Sequence, residues 1–152
     1  MGNRAYVDLK AVRAEFGMSQ RGFADLIGVS VRTVQSCEQG WRNPSAAVER
    51  AALVLLLGRR HGAGVTRFRC WETLDCSDAE RRACQVEETR QGHLCWLLTG
   101  NTCRGRRLRS WEEKKTTCFG CGFFNQLFSQ GLPLNHGPSG KSKEKARGDS
   151  TS

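Results

Sequence analysis

The distribution of cysteine is the feature that most constrains how this chain can fold. The chain has eight cysteines: one is Cys37, and all the others lie between Cys70 and Cys121. An isolated buried cysteine behaves as a small hydrophobic residue. Filling a hydrophobic core therefore does not explain why so many cysteines lie in one segment. The clustering therefore predicts a chain of two parts, of which only the second depends on its thiols.

The composition limits the size of the core in either part. Aromatic residues make up only 8% of the 152 residues, so a single large core is not expected. The longest apolar run, residues 51–57, is far shorter than the ~20 residues that a transmembrane helix needs. The N-terminus has no apolar signal core. We therefore expect small domains in a reducing cytoplasm, without a membrane segment.

The charge of the chain is strongly basic. Lys and Arg number 24 against 15 Asp and Glu, which gives a formal net charge of +9. The excess is largest in the part before the cysteine cluster. A balance of this kind is typical of proteins that bind polyanions.

The residues before the cysteine cluster carry the pattern of short helices. Apolar residues recur at helical spacing from Leu9 to Phe16, and Gly17 ends that pattern. Farther along, Asn43 and Pro44 are typical of a helix start, as a cap followed by a proline in the first turn. The sequence predicts a mainly α bundle of four to five short helices.

The middle of this bundle predicts a tight helix–turn–helix. Ser19 and Ser30 are good N-caps for a second and a third helix, and Gly28 breaks the chain between them. On the third helix, Val34 and Cys37 have the spacing of a buried face. The remaining positions point outward: Val31, Arg32, Thr33, Gln35 and Ser36. The arginine, threonine, glutamine and serine among them offer donors and acceptors suited to base edges.

These helices resemble the Cro/C1-type helix-turn-helix, or XRE family, over residues 7–58. The resemblance rests on segments 18–20, 23–30, 32–35 and 38–44, although Cys37 replaces the family's tryptophan or leucine. It implies a DNA-binding domain whose third helix lies in the major groove of double-stranded DNA, as a homodimer on paired half-sites. By position, it implies DNA contacts from Gln20, Val31, Arg32, Thr33, Gln35, Ser36, Trp41, Arg42 and Asn43.

A second class of protein fits the same pattern. In an interaction or scaffold protein, the helical half would bind another protein and the cysteines would only hold a structural metal. The polar, acid-poor outward face of the third helix favours DNA. An enzyme is not indicated, since the chain has no glycine-rich phosphate loop, no nucleophile beside a plausible base and no sign of a small-molecule substrate.

The cysteine cluster predicts a metal-binding module. Cys118 and Cys121 form a C-x2-C pair, the spacing with which two thiolates bind one metal ion or one cluster edge. The other spacings match neither a zinc-finger series nor a ferredoxin run, so an iron–sulfur cluster and zinc both stay open, and the DNA-binding half needs no cofactor. A disulfide-stapled domain is the alternative. The candidate ligands are Cys70, Cys76, Cys84, Cys95, Cys103, Cys118 and Cys121.

Two Cys-Trp pairs, at 70–71 and 95–96, extend this pattern. Together with the other cysteines, Gly100, Lys115 and Phe123, they resemble the two-CW domain over residues 69–124. The resemblance implies a small, loop-rich cysteine module of bacterial proteins, often attached to signalling partners and without an established ligand. Gln85 and Val86 depart from the usual Pro-Ala of that domain.

The predicted organisation has four segments. Residues 1–58 form the DNA-binding domain, 59–68 a linker, 69–124 the cysteine module, and 125–152 a basic tail that is disordered from about residue 137. We therefore predict a bacterial, cytoplasmic DNA-binding transcriptional regulator whose cysteine module responds to metal or redox state.

Overall fold

The structure, a computed structural model, describes residues 5–136, and this part of the chain is mostly helical. It divides into two compact units. Of the described residues, the first unit comprises 5–56 and 133–136, and the second comprises 57–132. The predicted disorder from about residue 137 lies outside the described residues. None of the helices within residues 5–136 is long and apolar enough to cross a membrane.

The first unit contains four helices and a short antiparallel strand pair. The strands join opposite ends of the described chain, with Tyr6 opposite Asn135, a pairing that the sequence analysis did not predict. The elements are β1 (Ala5–Val7), α1 (Leu9–Phe16), α2 (Gln20–Ile27), α3 (Val31–Glu38), α4 (Ala46–His61, of which the last turn belongs to the second unit) and β4 (Leu134–His136).

The boundaries of α2 and α3 follow from their caps, as predicted. Ser19 Oγ accepts a hydrogen bond from the Gly22 N–H at 3.0 Å, and Ser30 Oγ accepts one from the Thr33 N–H at 3.1 Å. Between them Gly28 has φ +81°, a conformation that residues with a Cβ rarely adopt. The turn therefore forms where the sequence places its glycine.

The start of α1 agrees with the sequence prediction, whereas the start of α4 differs from it. Helix α1 begins after Asp8, whose Oδ1 accepts from the Ala11 N–H at 3.1 Å. Helix α4 begins at Ala46, because Ser45 Oγ accepts from the Val48 N–H at 3.2 Å. The predicted start, with Asn43 as the cap, is thus two residues early, since a second good cap, Ser45, follows the proline.

The core of the first unit is formed by small and aliphatic side chains with one aromatic ring. Helices α1 and α2 both pack on α3. Val34 and Cys37 of α3 are buried as the spacing predicted. The other buried hydrophobic residues of the three helices are Leu9, Val12, Phe23 and Ala24.

The second unit has shorter elements. Two 3-10 helices (Gly62–Arg67 and Gly92–Leu94) accompany α5 (Cys70–Thr73), α6 (Asp78–Arg82), α7 (Gln85–Glu88), β2 (Thr102–Cys103), β3 (Arg106–Arg107), α8 (Trp111–Cys118) and α9 (Gly122–Leu127). Strands β2 and β3 form a hairpin in which Arg104 and Gly105 both have positive φ. This is the pattern of a type I′ turn, which matches the twist of the flanking strands.

An aromatic cluster forms the centre of the second unit. The Trp96 ring is fully buried, and its centroid lies 6.3 Å from that of Trp111, 5.8 Å from that of Phe124 and 6.1 Å from that of Phe128. The indole N–H donates to the His93 carbonyl at 3.1 Å. The second Cys-Trp pair therefore supplies the central side chain of this core.

The segment predicted as a linker, residues 59–68, is helical over most of its length. It contains the end of α4 and the first 3-10 helix. Arg60 Nη1 donates to the Gly131 carbonyl at 2.8 Å, and His61 Nε2 lies 2.7 Å from the Leu127 carbonyl oxygen. These contacts attach the segment to the rest of the second unit.

Candidate nucleic-acid interface and cysteine-lined cavity

Helix α3 presents one face to the core and another to solvent. Val34 and Cys37 are buried, whereas Arg32 and Gln35 are exposed. The other predicted DNA-facing side chains of α3, namely Val31, Thr33 and Ser36, are half-buried. The exposed face is thus the polar one.

A partly buried charge pair links α1, α2 and α3. The Arg13 guanidinium donates twice to the Glu38 carboxylate, from Nε at 2.7 Å and from Nη2 at 2.9 Å. Gln20 Nε2 donates to the same carboxylate at 3.0 Å, and Gln35 Nε2 donates to Gln20 Oε1 at 3.4 Å. This network brings together two of the predicted DNA-contacting side chains, those of Gln20 and Gln35, and fixes the orientation of the first.

The electrostatics of the network keep it ionised at neutral pH. Burial of Glu38 raises its pKa, but hydrogen bonds from Arg13 and Gln20 outweigh burial, so the pKa lies below its ordinary value. The hydrogen bond to Glu38 in turn raises the pKa of Arg13. No local pattern in the sequence predicts that this pair positions Gln20. The available signal was a charged residue, Arg13, within the apolar stripe of the first helix.

The segment after α3 is strongly exposed. Trp41 has 78% of its surface accessible, and Arg42 and Asn43 are also exposed. Burial raises the pKa of the Cys37 thiol, and the adjacent Arg42 guanidinium opposes that effect. Cys37 is therefore a buried thiol of the core, while the predicted contact residues that follow it reach solvent.

The predicted metal ligands of the second unit surround a cavity of about 280 Å³. Short elements place them there: Cys70 begins α5, Cys103 ends β2 and Cys118 ends α8. The cysteines that line the wall are Cys70, Cys76, Cys84, Cys95, Cys103, Cys118 and Cys121.

The predicted iron–sulfur cluster or zinc site is wrong. Among the residues that the structure describes, no group of three or more His, Cys, Asp or Glu side chains is placed to hold a metal ion. The thiols are spread around a cavity wall instead of converging on a point. Burial raises the pKa of the Cys118 thiol to about 12 and also raises that of Cys103. All eight cysteines are free thiols within residues 5–136.

Two of these thiols interact directly. The Cys95 thiol hydrogen bonds to Cys70, which lowers the pKa of Cys70 and raises that of Cys95 well above its ordinary value; burial opposes the first shift, and Lys114 favours it. Gly92 allows the second 3-10 helix to lie against the start of α5, because a Cβ there would lie 2.9 Å from the Arg69 Cα and 3.1 Å from the Cys70 nitrogen.

Two buried polar side chains also line the cavity. Lys114 is 1% exposed, and its Nζ donates to the Cys95 carbonyl at 2.5 Å. Asn101 is 3% exposed, and its Oδ1 has no hydrogen-bond partner among the described residues. The sequence analysis singled out neither residue, because a polar residue in a short loop or on a polar helix gives no local signal of burial.

Comparison with known families supports the first part of this description. A helix-turn-helix family model matches residues 9–48, which include α1, α2, α3 and all the predicted DNA contacts. No curated protein and no solved structure matches the chain, and the resemblance of residues 69–124 to the two-CW domain is not confirmed. The match supports the predicted Cro/C1-type helix-turn-helix for residues 9–48.

Proposed function

We propose that the protein is a sequence-specific transcriptional regulator whose α3 lies in the major groove of double-stranded DNA. The observation that carries the proposal is the polar, solvent-exposed face of α3 within a helix-turn-helix. The exposed side chains of Arg32 and Gln35 on this face support the proposal, since arginine bonds guanine and glutamine bonds adenine with two hydrogen bonds each.

The residues around α3 supply contacts to the DNA backbone. Gln20 is the first residue of α2, where backbone N–H groups and the helix dipole favour a phosphate. Its side chain is held by Glu38. On the other side, the exposed residues Trp41, Arg42 and Asn43 are suited to contact phosphate and sugar. Backbone contacts of this kind set the register in which α3 meets the bases.

A homodimer on paired half-sites is the assembly that we propose on DNA. One helix-turn-helix reads only a few base pairs, and two copies about one helical turn apart double the number read. The net charge of +9 supports affinity that falls steeply with salt. A response to oxidation stays a prediction, supported by the free thiols of the second unit.

The test is an exchange of Arg32 measured on two kinds of DNA. A cognate site is first selected from random duplexes with the full-length protein. We expect Arg32→Ala to weaken binding to that site by ~1–3 kcal/mol and to weaken binding to random duplex much less, because a base contact is lost.

The matched control is Arg82→Ala. Arg82 is an exposed arginine of the second unit, so its removal changes the net charge equally and leaves α3 intact. The proposal fails if Arg32→Ala weakens cognate and random DNA alike, or if it behaves like the control. Failure to select any site would contradict sequence-specific binding itself.

A further inference from the structure

The cavity of the second unit lies outside the helix-turn-helix and is large for a void in a small protein. Cores of native proteins contain few voids larger than a water molecule. An apolar cavity of about 150 Å³ holds benzene, so about 280 Å³ gives room for a molecule of two fused rings.

The surface of the cavity is almost entirely apolar. Trp71, Val86, Trp96 and Phe124 line it, and aromatic rings pack well against another ring in offset or edge-on arrangements. The free cysteines of the wall behave as small hydrophobic residues. Exposed residues such as Arg104 also line the cavity, so its mouth reaches solvent. The wall therefore favours a flat aromatic molecule that enters from solution.

One polar atom of the wall lacks a partner. Asn101 is 3% exposed, and its Oδ1 has no hydrogen-bond partner among the described residues. A buried acceptor in this state destabilises the fold that contains it. An apolar wall offers few of the roughly two to four polar partners that a buried water molecule needs. The missing donor is therefore best supplied by a molecule that the apolar wall also holds.

Lys114 restricts the kind of donor. Its side chain is 1% exposed and lines the same cavity, and among the described residues its ammonium donates to the Cys95 carbonyl. A cationic donor on the ligand would be repelled by this charge. A carboxylate would be attracted, but it has no proton for Asn101 Oδ1 and is costly to remove from water. A hydroxyl group is neutral, and it both donates and accepts hydrogen bonds.

We propose that this cavity binds a neutral aromatic alcohol of two fused rings, whose hydroxyl group donates a hydrogen bond to Asn101 Oδ1. The rings occupy the apolar part of the cavity beside Trp71 and Trp96. The hydroxyl oxygen keeps its lone pairs as acceptors for the Lys114 ammonium. Binding is reversible, and the cysteines of the wall contribute contact surface without reacting.

The experiment uses the reduced full-length protein and β-naphthol as the probe. Isothermal titration calorimetry measures its affinity beside that of its methyl ether, which keeps the rings and the oxygen but has no donor. We expect β-naphthol to bind about tenfold more tightly than the ether, because it alone satisfies the buried acceptor. Equal affinities, a preference for the ether, or no binding of β-naphthol up to its solubility would overturn the proposal.

A substitution of Asn101 tests whether this side chain provides the preference. Asn101→Leu keeps a similar size and removes the acceptor, so the variant should bind β-naphthol no more tightly than the ether. The matched control is Gln85→Leu, which replaces an exposed amide of the same unit away from the cavity wall and should keep the preference. A preference that persists in Asn101→Leu would contradict the proposal. If that variant does not fold, the comparison of the two compounds on the wild-type protein still decides.

Fluorotryptophan labelling locates the bound ring. The chain has four tryptophans, of which Trp71 and Trp96 line the cavity, whereas Trp41 is 78% exposed. We expect β-naphthol to shift the fluorine resonances of Trp71 and Trp96 and to leave that of Trp41 in place. Shifts of similar size at Trp41 would mean that β-naphthol binds unspecifically to exposed rings, and the proposal would be wrong.

The corresponding carboxylate separates the roles of the two polar side chains. At neutral pH, β-naphthoate has the same rings, a negative charge and no donor, so we expect it to bind more weakly than β-naphthol. Tighter binding of β-naphthoate would show that the charge of Lys114 selects an acid, which contradicts the proposal. None of these measurements involves DNA, so their outcome is independent of whether the protein is a transcriptional regulator.

Discussion

The two units of this chain differ in the length and the capping of their helices. In the first unit, α1, α2 and α3 each have eight residues and a side-chain cap of their own. In the second unit, α5, α6, α7 and α9 have four to six residues, and among these four only α6 has a side-chain cap. Helices of either length are not stable by themselves in water, so tertiary packing holds both sets. The shorter helices of the second unit have less local support and depend on packing more.

The interiors of the two units differ in a second way. In the first unit, the Glu38 carboxylate is bound by Arg13, and the Glu49 carboxylate accepts from the Val7 N–H at 2.9 Å. In the second unit, a buried acceptor on Asn101 lacks a donor among the described residues, beside a cavity walled by thiols. In these examples the carboxylates of the first interior accept hydrogen bonds from the protein, whereas the Asn101 acceptor of the second lines a cavity.

The largest expected effect tests the dependence of the second unit on its aromatic core. Trp96→Ala should lower the free energy of unfolding by ~3–5 kcal/mol, because it removes a fully buried ring and leaves a cavity. Near-UV circular dichroism during urea unfolding measures it. Trp41→Ala is the control, since that ring is 78% exposed and its loss should leave stability unchanged. Similar losses in both variants would contradict this assignment of the core.

A smaller effect tests the partly buried charge pair of the first unit. Glu38→Gln should cost about 2–3 kcal/mol of stability, because the Arg13 guanidinium keeps its burial and loses a charged acceptor. The measurement is urea unfolding followed by far-UV circular dichroism. We expect DNA affinity to fall as well, since Gln20 loses the carboxylate that orients it.

The pH dependence of this variant follows from the direction of the pKa shift. The pKa of Glu38 in the folded protein lies below its ordinary value of 4.5. Its stabilising contribution is therefore complete above pH 4.5 and is lost as the pH falls through the folded value. The difference in stability between wild type and Glu38→Gln should shrink below pH 4.5. A difference that stays constant in acid would show that Glu38 acts through packing alone.

The same difference between the two units explains which features could be predicted from the sequence. Helices α1, α2 and α3 were found because Ser19, Gly28 and Ser30 act within a few residues of their own positions. The start of α4 was placed early because Asn43 and Ser45 are both good caps, and only the three-dimensional structure selects between them. Local signals therefore predicted the candidate nucleic-acid interface but not the Arg13–Glu38 pair behind it.

In the second unit, the sequence identified cysteine as the residue type of a shared site, but it did not show how the thiols are arranged in space. Clustered cysteines predicted a shared site, and all the candidate ligands do line one cavity. The metal was wrong because cysteine spacing does not reveal whether thiols converge on a point or spread over a wall. The burial of Asn101 and Lys114 depends on loops from distant parts of the unit, and no local pattern encodes it.

The smallest expected effect compares one substitution at two glycines. Gly28 ends α2 with φ +81°, where a Cβ costs ~1–2 kcal/mol, so Gly28→Ala should destabilise the protein. Gly58 lies within α4, and a Cβ there would meet no atom within 4 Å. Gly58→Ala should therefore stabilise the protein by ~0.5–1 kcal/mol through helix propensity.

Urea unfolding of the two variants beside wild type measures the sign directly. We expect the unfolding midpoints of the two variants to shift in opposite directions. At each glycine the local backbone conformation, and not side-chain packing, determines the change in stability. Shifts in the same direction would mean that the turn at Gly28 is held by tertiary contacts. The first unit would then depend on packing as the second one does, and the contrast between the two would disappear.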